Sequence, residues 1–199
     1  MFKVTAFGAG VGVTIWIGYL ALVANPVVLF SWHPVCFCLA YLVATPSAIL
    51  AMSDRRRESN FNKRTALLDW HVYMQSLTIV LMSIGFGVIY YNKDLHNRPH
   101  FQTTHSYVGV AAFICYFINY LGGMLKRDSK NPKDAAHRYF GALSFLLSGT
   151  GIVLGFYSGG WGKTNLGPSG QLGASVLVVI AHIATVAYMF SPKKPSKEE

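Results

Sequence analysis

Four histidines, His33, His71, His105 and His137, each lie within or beside a different long apolar run of the chain. A neutral imidazole can bind a metal ion through one of its nitrogens, or it can pass protons. An ionisable side chain in an apolar environment is costly and is usually functional or paired. A single histidine near a helix end is more often a hydrogen-bonded structural residue, so the argument depends on the set of four.

The elements that carry these histidines are six apolar runs. Hydrophobic residues make up 52% of the 199 residues and charged residues only 13%, which favours membrane spans over a soluble domain. A span needs about 20 apolar residues, and the sequence predicts spans at roughly 4–28, 32–52, 66–91, 103–125, 135–157 and 172–190. The first run is too long for a secretory signal and has no convincing cleavage site. We therefore expect residues 1–199 to form one all-α membrane domain.

The basic residues predict the orientation of these spans. Only Lys93, Arg98 and Lys163 fall on one side of the predicted membrane. The other side carries Lys3, Arg55, Arg56, Arg57, Lys63, Arg64, Lys126, Arg127, Lys130, Lys133, Arg138, Lys193, Lys194 and Lys197. Because short cytoplasmic loops hold the excess of Lys and Arg, both termini are expected in the cytoplasm. The net charge of +9 then needs no nucleic-acid partner, and either an endomembrane or vesicle membrane or the plasma membrane is compatible.

This topology places the four histidines at two depths. His33 and His105 open the second and fourth spans at the outer surface, whereas His137 opens the fifth span at the inner surface. His71 lies about five residues inside the third span, roughly 7 Å deep at 1.5 Å per residue. We call His33 and His105 the outer pair and His71 and His137 the inner pair. Matching depths on four consecutive spans are not easily accidental.

Each pair has the chemistry of a haem-binding site. Two neutral imidazoles on facing helices can fill both axial positions of a six-coordinate haem iron. The sequence therefore predicts a central four-helix bundle, built from spans two to five, that holds two haem b groups. Spans one and six would be peripheral. Haem attached through thioether links is not expected, because no C-x-x-C-H motif occurs.

The remaining candidate residues have simpler interpretations. His96 and His100 lie in an outer loop, His182 lies in the sixth span where helix packing is expected, and the three cysteines are interpreted as small buried hydrophobes. Gln75, one turn after His71, could hydrogen-bond a haem edge, although a helix–helix contact is equally compatible. Glycines in the third to fifth spans would let a macrocycle or a neighbouring helix approach: Gly85, Gly87, Gly109, Gly122, Gly123, Gly141, Gly149, Gly151 and Gly155.

Four motifs around these histidines resemble the cytochrome b561 family of six-helix, two-haem transmembrane reductases. They are "FSWHP", "HVYMQ", "TTHSYVG" and "HRYFG", and the similarity extends from about residue 10 to residue 160. The resemblance implies the same pairing, His33 with His105 and His71 with His137. It also implies electron transfer from cytosolic ascorbate to monodehydroascorbate or a ferric chelate on the far side, with a homodimer as one possible assembly.

The resemblance is incomplete where the family binds ascorbate. The family's acidic residue before A-[IL]-L-V-Y-R corresponds to Ser47 in "SAILAMSDRRR", and Met52 stands in place of the tyrosine. The lysine that often precedes the third-helix histidine is also missing. Its nearest substitutes are Lys63 and Arg64, and Arg138 is a third candidate for binding the anionic donor. His100 is the candidate substrate-binding residue on the outer side.

Two other functions are compatible with these features. The chain could be a haem-bearing structural subunit of a larger membrane complex, which would contain haem but show no turnover when isolated. It could also be a transporter whose histidines relay protons or bind metal ions, in which case haem would not copurify. The order of the four motifs favours the reductase.

Overall fold

The computed structural model describes residues 2–126 and 135–192, and every regular element within these ranges is helical. The helices long and apolar enough to cross a membrane are α1 (Phe2–Leu22), α2 (Leu29–Arg55), α3 (Phe61–Leu95), α4 (Thr104–Leu125), α5 (Ala135–Tyr157) and α7 (Gly167–Phe190). A short helix, α6 (Gly160–Asn165), precedes the last of them. The prediction of an all-α membrane protein with six spans is confirmed.

The long helices pack as pairs. α2 lies along α3, α4 lies along α5, and the two pairs face each other with α3 and α4 touching only sparsely. α1 packs along α7, and these two helices lie against α2 and α5 from outside. The four helices that carry the histidines therefore form the centre, and α1 and α7 are peripheral as the sequence predicted.

α2 changes its helical geometry in the middle of the span. An α-helical turn over Trp32–Cys38 is followed by a π-helical segment over Leu39–Ala44 and by α-helix again over Thr45–Arg55. Pro46 has no N–H for the carbonyl of Leu42, and its ring would collide with that carbonyl in a regular α-helix. The wider π turn relieves the collision. The Leu42 carbonyl lies against α1, where a Cβ on Gly10 would come within 2.4 Å of the oxygen, so only glycine fits there.

The bounds of several helices differ from the sequence prediction, α1 and α3 among them. α1 ends at Leu22 rather than near residue 28, because Pro26 disfavours helical backbone at Asn25. α3 begins earlier than expected, at Phe61, where the Asn60 side chain accepts the backbone N–H of Lys63 at 3.1 Å. Its 35 residues extend roughly 52 Å at 1.5 Å per residue, which exceeds a hydrocarbon core of about 30 Å. α3 is therefore longer than the hydrocarbon core of a bilayer and extends beyond it.

The end of the molecule that carries Arg55–Arg57, Lys63 and Arg64 is called the basic end. Here Arg56 donates to the carbonyl of Met189, and Arg57 donates to the carbonyl of Tyr188 at 3.2 Å. These contacts satisfy carbonyls at the C-terminus of α7 that have no partner within the helix.

A second contact at the basic end joins the same helices. Asp54 accepts from Lys3 and from the Tyr188 hydroxyl, so α1, α2 and α7 are tied together. Several of the basic residues that predicted the orientation thus also hold the helix ends in place. Other residues used in that prediction lie outside the described residues: Arg127, Lys130, Lys133, Lys193, Lys194 and Lys197.

Candidate cofactor sites

The outer pair of histidines meets across the space between the two helix pairs. The ring centroids of His33 and His105 are 6.1 Å apart, and the ring planes are inclined by 90°. A metal ion bound between two imidazole nitrogens, with bonds of about 2 Å to each, holds the ring centroids roughly 6 Å apart. Perpendicular rings are compatible with this arrangement, because both ring planes still contain the axis through the metal. The spacing of the outer pair therefore fits a shared iron.

The protonation of three imidazoles is fixed by the neighbouring backbone. Each donates from Nδ1 to a carbonyl oxygen of the helix with which its own helix is paired: His33 to Gly85 at 3.0 Å, His105 to Gly151 at 2.9 Å, and His71 to Ala48 at 2.9 Å. Because a carbonyl can only accept, Nδ1 must carry the proton and Nε2 keeps its lone pair. Metal-bound histidines typically have their other nitrogen held in this way.

The inner pair lies toward the basic end. His71 of α3 is anchored to the Ala48 carbonyl of α2, and His137 is the third residue of α5. His137 also borders a cavity of about 210 Å³ between α4 and α5, which Asn119 and Lys126 line as well. An amide and an ammonium group are suitable donors to the carboxylate of a bound cofactor. The inner site therefore combines two imidazoles with polar groups that can orient an anionic substituent.

Two glycines let the imidazoles lie close to a neighbouring helix. A Cβ on Gly155 of α5 would approach His105 Cε1 to 3.0 Å, and a Cβ on Gly123 of α4 would approach His137 Cε1 to 2.9 Å. Real Cβ atoms rarely tolerate such distances, so a larger residue would displace the ring. By contrast, a Cβ on Gly87, Gly109 or Gly122 would meet nothing within 4 Å. Only part of the predicted glycine set is therefore needed for close approach.

These features support the assignment of two bis-imidazole sites. The donor nitrogens come from opposite helix pairs, and the anchoring carbonyls lie within each pair. A flat macrocycle with an iron at its centre needs such an arrangement of neutral nitrogens on its two faces. The residues present thus fit haem, which would be held by His33 with His105 and by His71 with His137.

A cluster of polar side chains lies between the two histidine pairs. Tyr116 of α4 donates its hydroxyl to Oε1 of Gln75 on α3 and lies 3.0 Å from Oγ1 of Thr45 on α2. Thr45 is in turn 3.2 Å from Oγ1 of Thr78. Tyr116, Thr45 and Thr78 are buried, with at most 6% of their surface exposed. Gln75 thus makes a contact between helices, which is one of the two roles predicted for it.

A cleft opens at the basic end between α2 and the start of α3. Its volume is about 560 Å³, and it is lined by Asp54, Arg57, Glu58, Lys63, Ala66 and Leu67. Arg57 is held by the end of α7, whereas the Lys63 side chain is exposed. The backbone N–H of Asn60 donates to Glu58 and lowers the pKa of that carboxyl, and Lys63 and the Ser59 N–H lower it further. The cleft therefore holds charges of both signs.

The other two candidate donor-binding residues lie apart from this cleft. Arg64 donates to the Glu58 carbonyl at 3.3 Å, and its own carbonyl accepts from Arg55 at 3.1 Å. Arg138 lies over the rings of Tyr139 and Phe190, beside the end of α7, and does not line the cleft. Among the predicted set of Lys63, Arg64 and Arg138, Lys63 is the residue that lines the cleft.

Ser47, at the position of the family's acidic residue, accepts a hydrogen bond from the Trp70 indole at 2.9 Å. Trp70 immediately precedes His71 in α3. This contact attaches the start of the His71 turn to α2, next to the carbonyl of Ala48 that anchors the imidazole itself. The serine is therefore a structural neighbour of the inner site.

The remaining histidines have local partners. His100 stacks on Tyr90, with centroids 4.1 Å apart, and its Nε2 is 2.8 Å from Asp94. His96 is exposed and bonded to the carbonyl of Asn92. His182 stacks on Phe145 with the same 4.1 Å separation, in agreement with the packing role expected for it. His100 remains the predicted substrate residue at the end opposite the basic end.

Sequence reasoning did not identify the backbone carbonyls of Ala48, Gly85 and Gly151 or the hydroxyl of Tyr116 as parts of the sites. Every residue has a backbone carbonyl, so residue type does not show which carbonyl will accept a bond from a histidine. That depends on how the neighbouring helices are rotated. Tyr116 did have a signal, because a polar group inside an apolar span needs a partner. The hydrogen-bonding groups that could meet this need are in other spans, on Thr45, Gln75 and Thr78.

Comparison with known proteins identifies the family to which the chain belongs. The family described as eukaryotic cytochrome b561 matches residues 32–162, a range that includes all four histidines. The chain is 28% identical over 193 residues to mouse (Mus musculus) transmembrane reductase CYB561D2, covering 91% of this chain and 84% of the relative. It is 26% identical over 166 residues to human (Homo sapiens) transmembrane reductase CYB561D2, covering 77% and 74%. It is also 28% identical over 137 residues to human probable transmembrane reductase CYB561D1, covering 65% and 60%.

Proposed function

Because the chain belongs to the eukaryotic cytochrome b561 family, we propose that it is a transmembrane reductase that transfers electrons across a bilayer through two haem b groups. The single observation that carries this proposal is the outer pair, whose ring centroids lie 6.1 Å apart with perpendicular planes. Bound haem supplies one-electron chemistry, and the protein supplies position, burial and hydrogen bonding. The reductase names of the three relatives support the same class of reaction.

Each residue of the two sites has a specific task in this function. His33 and His105 would hold the outer haem, and His71 and His137 would hold the inner one. The carbonyls of Gly85, Gly151 and Ala48 hold three imidazoles in the tautomer that leaves Nε2 free to bind iron. Asn119 and Lys126 can orient the carboxylates of the inner cofactor.

We assign ascorbate as the electron donor and the basic end as the cytoplasmic side. The excess of Lys and Arg at that end supports the orientation, with both termini in the cytoplasm. Lys63, exposed in the cleft of about 560 Å³, is the cation that would attract an anionic donor, with Arg64 and Arg138 as further candidates. Monodehydroascorbate or a ferric chelate would accept the electron at the opposite end, near His100.

The first experiment is a dithionite-reduced minus oxidised spectrum of the purified protein, with haem quantified per chain. Because all four ligands are imidazoles, we expect low-spin haem b at about two groups per chain. Reduction of both groups by ascorbate added to the basic end of oriented vesicles would support the donor and the direction. One haem per chain, or none, contradicts the two-site proposal.

The same preparation separates the competing functions. Two haem groups that no donor reduces at a useful rate would favour a structural subunit of a larger membrane complex. Protein that is folded but lacks haem, and that moves protons or metal ions across vesicles, would favour the transporter.

A further inference from the structure

The polar cluster between the two histidine pairs contains more hydrogen-bonding groups than helix packing needs. Tyr116 reaches across the sparse contact between the helix pairs and touches both α2, through Thr45, and α3, through Gln75. A phenylalanine would fill the same space without burying a hydroxyl group, which is costly in an apolar environment unless it is bonded. Helix packing alone therefore does not account for the hydroxyl.

The hydrogen bonds in the cluster run in one direction. Tyr116 has a single hydroxyl proton, which it donates to Gln75 Oε1. The 3.0 Å contact with Thr45 must then be a bond that Thr45 donates to the tyrosine oxygen. Thr78 donates its only proton to the carbonyl of Met74 at 2.9 Å, so it has none to donate at its 3.2 Å contact with Thr45. The directed chain therefore runs from Thr45 to Tyr116 to Gln75, which links α2, α4 and α3 and ends one turn from His71.

A column of aromatic rings leads from the outer pair to the same tyrosine. The ring centroids of His33 and Phe37 are 5.0 Å apart, those of Phe37 and Tyr41 are 5.7 Å apart, and those of Tyr41 and Tyr116 are 5.8 Å apart. The spacing of residues 33, 37 and 41 keeps these side chains on one face of α2. Tyr116 is therefore where the aromatic column from the outer pair meets the hydrogen-bonded chain that leads to the inner pair.

We infer that Tyr116 is a positioning residue that couples the two haem sites and sets the rate at which an electron passes between them. The inference rests on the proposed function, since it needs both sites to hold haem. In the coupled step one iron loses an electron and the other gains it. Tyr116 keeps its proton and is neither oxidised nor reduced. Its hydroxyl holds the two helix pairs, and with them the aromatic column and Gln75, at a fixed separation.

The test compares two tyrosines that bridge the same helices. Tyr116→Phe removes the hydroxyl and keeps the ring. The matched control is Tyr120→Phe, because Tyr120 also joins α4 to α3, through a 2.9 Å bond to Ser76, but it has no place in the column. Electron redistribution between the sites is followed optically after rapid partial reduction. Haem content, both midpoint potentials and thermal stability are measured alongside.

We expect Tyr116→Phe to keep both haems and to slow redistribution roughly fivefold, the factor that corresponds to the net free energy of one buried hydrogen bond. Tyr120→Phe should redistribute electrons at the wild-type rate while losing comparable thermal stability. Thr45→Val removes the bond on the other side of the tyrosine oxygen and should slow the same step. Because both changes break one chain, the double variant should be little slower than Tyr116→Phe alone.

Three results would overturn the inference. Tyr116→Phe could redistribute electrons as fast as the wild type, or Tyr120→Phe could slow the step equally, or Tyr116→Phe could lose a haem, which would make the residue purely structural. If Tyr116→Phe does not fold, Thr45→Val decides in its place. Wild-type protein with fewer than two haems would instead contradict the proposed function. The haem content of the wild type is therefore measured before any variant is compared.

Discussion

The outer and inner histidine pairs are built from the same residue type but are held differently. In the outer pair both rings are anchored through Nδ1, and Phe37 packs edge-on against His33 at 5.0 Å. In the inner pair His71 is anchored in the same way, whereas His137 borders a mostly apolar cavity that Asn119 and Lys126 also line. The outer site is an aromatic enclosure, and the inner site adjoins charged groups of the basic end.

This difference between the two pairs bears on which site receives electrons and which site passes them on. A site enclosed by rings and anchored carbonyls keeps a fixed geometry, which suits an electron acceptor that must not reorganise. A site near cations raises the local concentration of an anionic donor. Lys63 lies eight residues before His71 in α3, which is roughly 12 Å along the helix axis. The surroundings of each pair therefore support the proposed direction, with electrons entering at the inner site and leaving at the outer site.

The largest expected effect comes from removing single ligands. His33→Ala and His105→Ala should each abolish the outer haem, and His71→Ala and His137→Ala the inner one, leaving about one haem per chain because an axial nitrogen is lost. Difference spectra with haem quantification provide the measurement. His182→Ala is the control, since this histidine stacks on Phe145 away from both pairs, and it should keep both haems. If His33→Ala and His71→Ala deplete the same spectral component, the pairing is wrong.

A smaller effect should follow from filling the space beside each imidazole. Gly155→Ala would press on His105 and Gly123→Ala on His137, at 3.0 and 2.9 Å, with a cost of about 1–3 kcal/mol for overpacking. We expect each variant to weaken haem retention, or to shift the spectrum, at its own site only. Gly109→Ala meets nothing within 4 Å and serves as the control. Equal effects at both sites from either variant would mean that the glycines act on the whole bundle.

The sequence was sufficient to predict two histidine pairs by depth, because depth depends only on span bounds and on the rise of a helix. The ring centroids of the outer pair do lie 6.1 Å apart, and the haem-binding role of both pairs stays a prediction. It was also sufficient for the peripheral place of the first and last spans. The π segment of α2 was not predicted, although Pro46 marks the position where a regular helix must be distorted. The anchoring carbonyls and the Tyr116 cluster depend on the rotation of neighbouring helices, which no local pattern encodes. α1 ends before its predicted bound because Pro26 disfavours helical backbone at Asn25.

The cleft at the basic end gives the smallest expected effect among the tests of the difference between the two ends. Neutralising Lys63 and Arg64 together to glutamine leaves Arg56 and Arg57 to hold the end of α7. In oriented vesicles we expect slower haem reduction by ascorbate from the basic end, a weaker dependence on salt, and unchanged haem content. The salt dependence should weaken because fewer exposed charges attract the donor across a screening length of about 8 Å at physiological ionic strength.

Single variants make this test sharper because the two cations differ in their surroundings. Lys63 lines the cleft, whereas Arg64 is bonded to the Glu58 carbonyl, so Lys63→Gln should account for most of the slowing, roughly twofold to fivefold for one exposed charge. Glu58→Gln is the matched control, because it removes a negative charge from the cleft where Lys63→Gln removes a positive one. Its carboxyl lines the same cleft and stays ionised at neutral pH, because the Asn60 N–H keeps its pKa low. Removing this negative charge should therefore speed reduction by an anionic donor. If Lys63→Gln and Glu58→Gln both leave the rate and its salt dependence unchanged, the donor does not enter through this cleft, and the region around Arg138 becomes the better candidate.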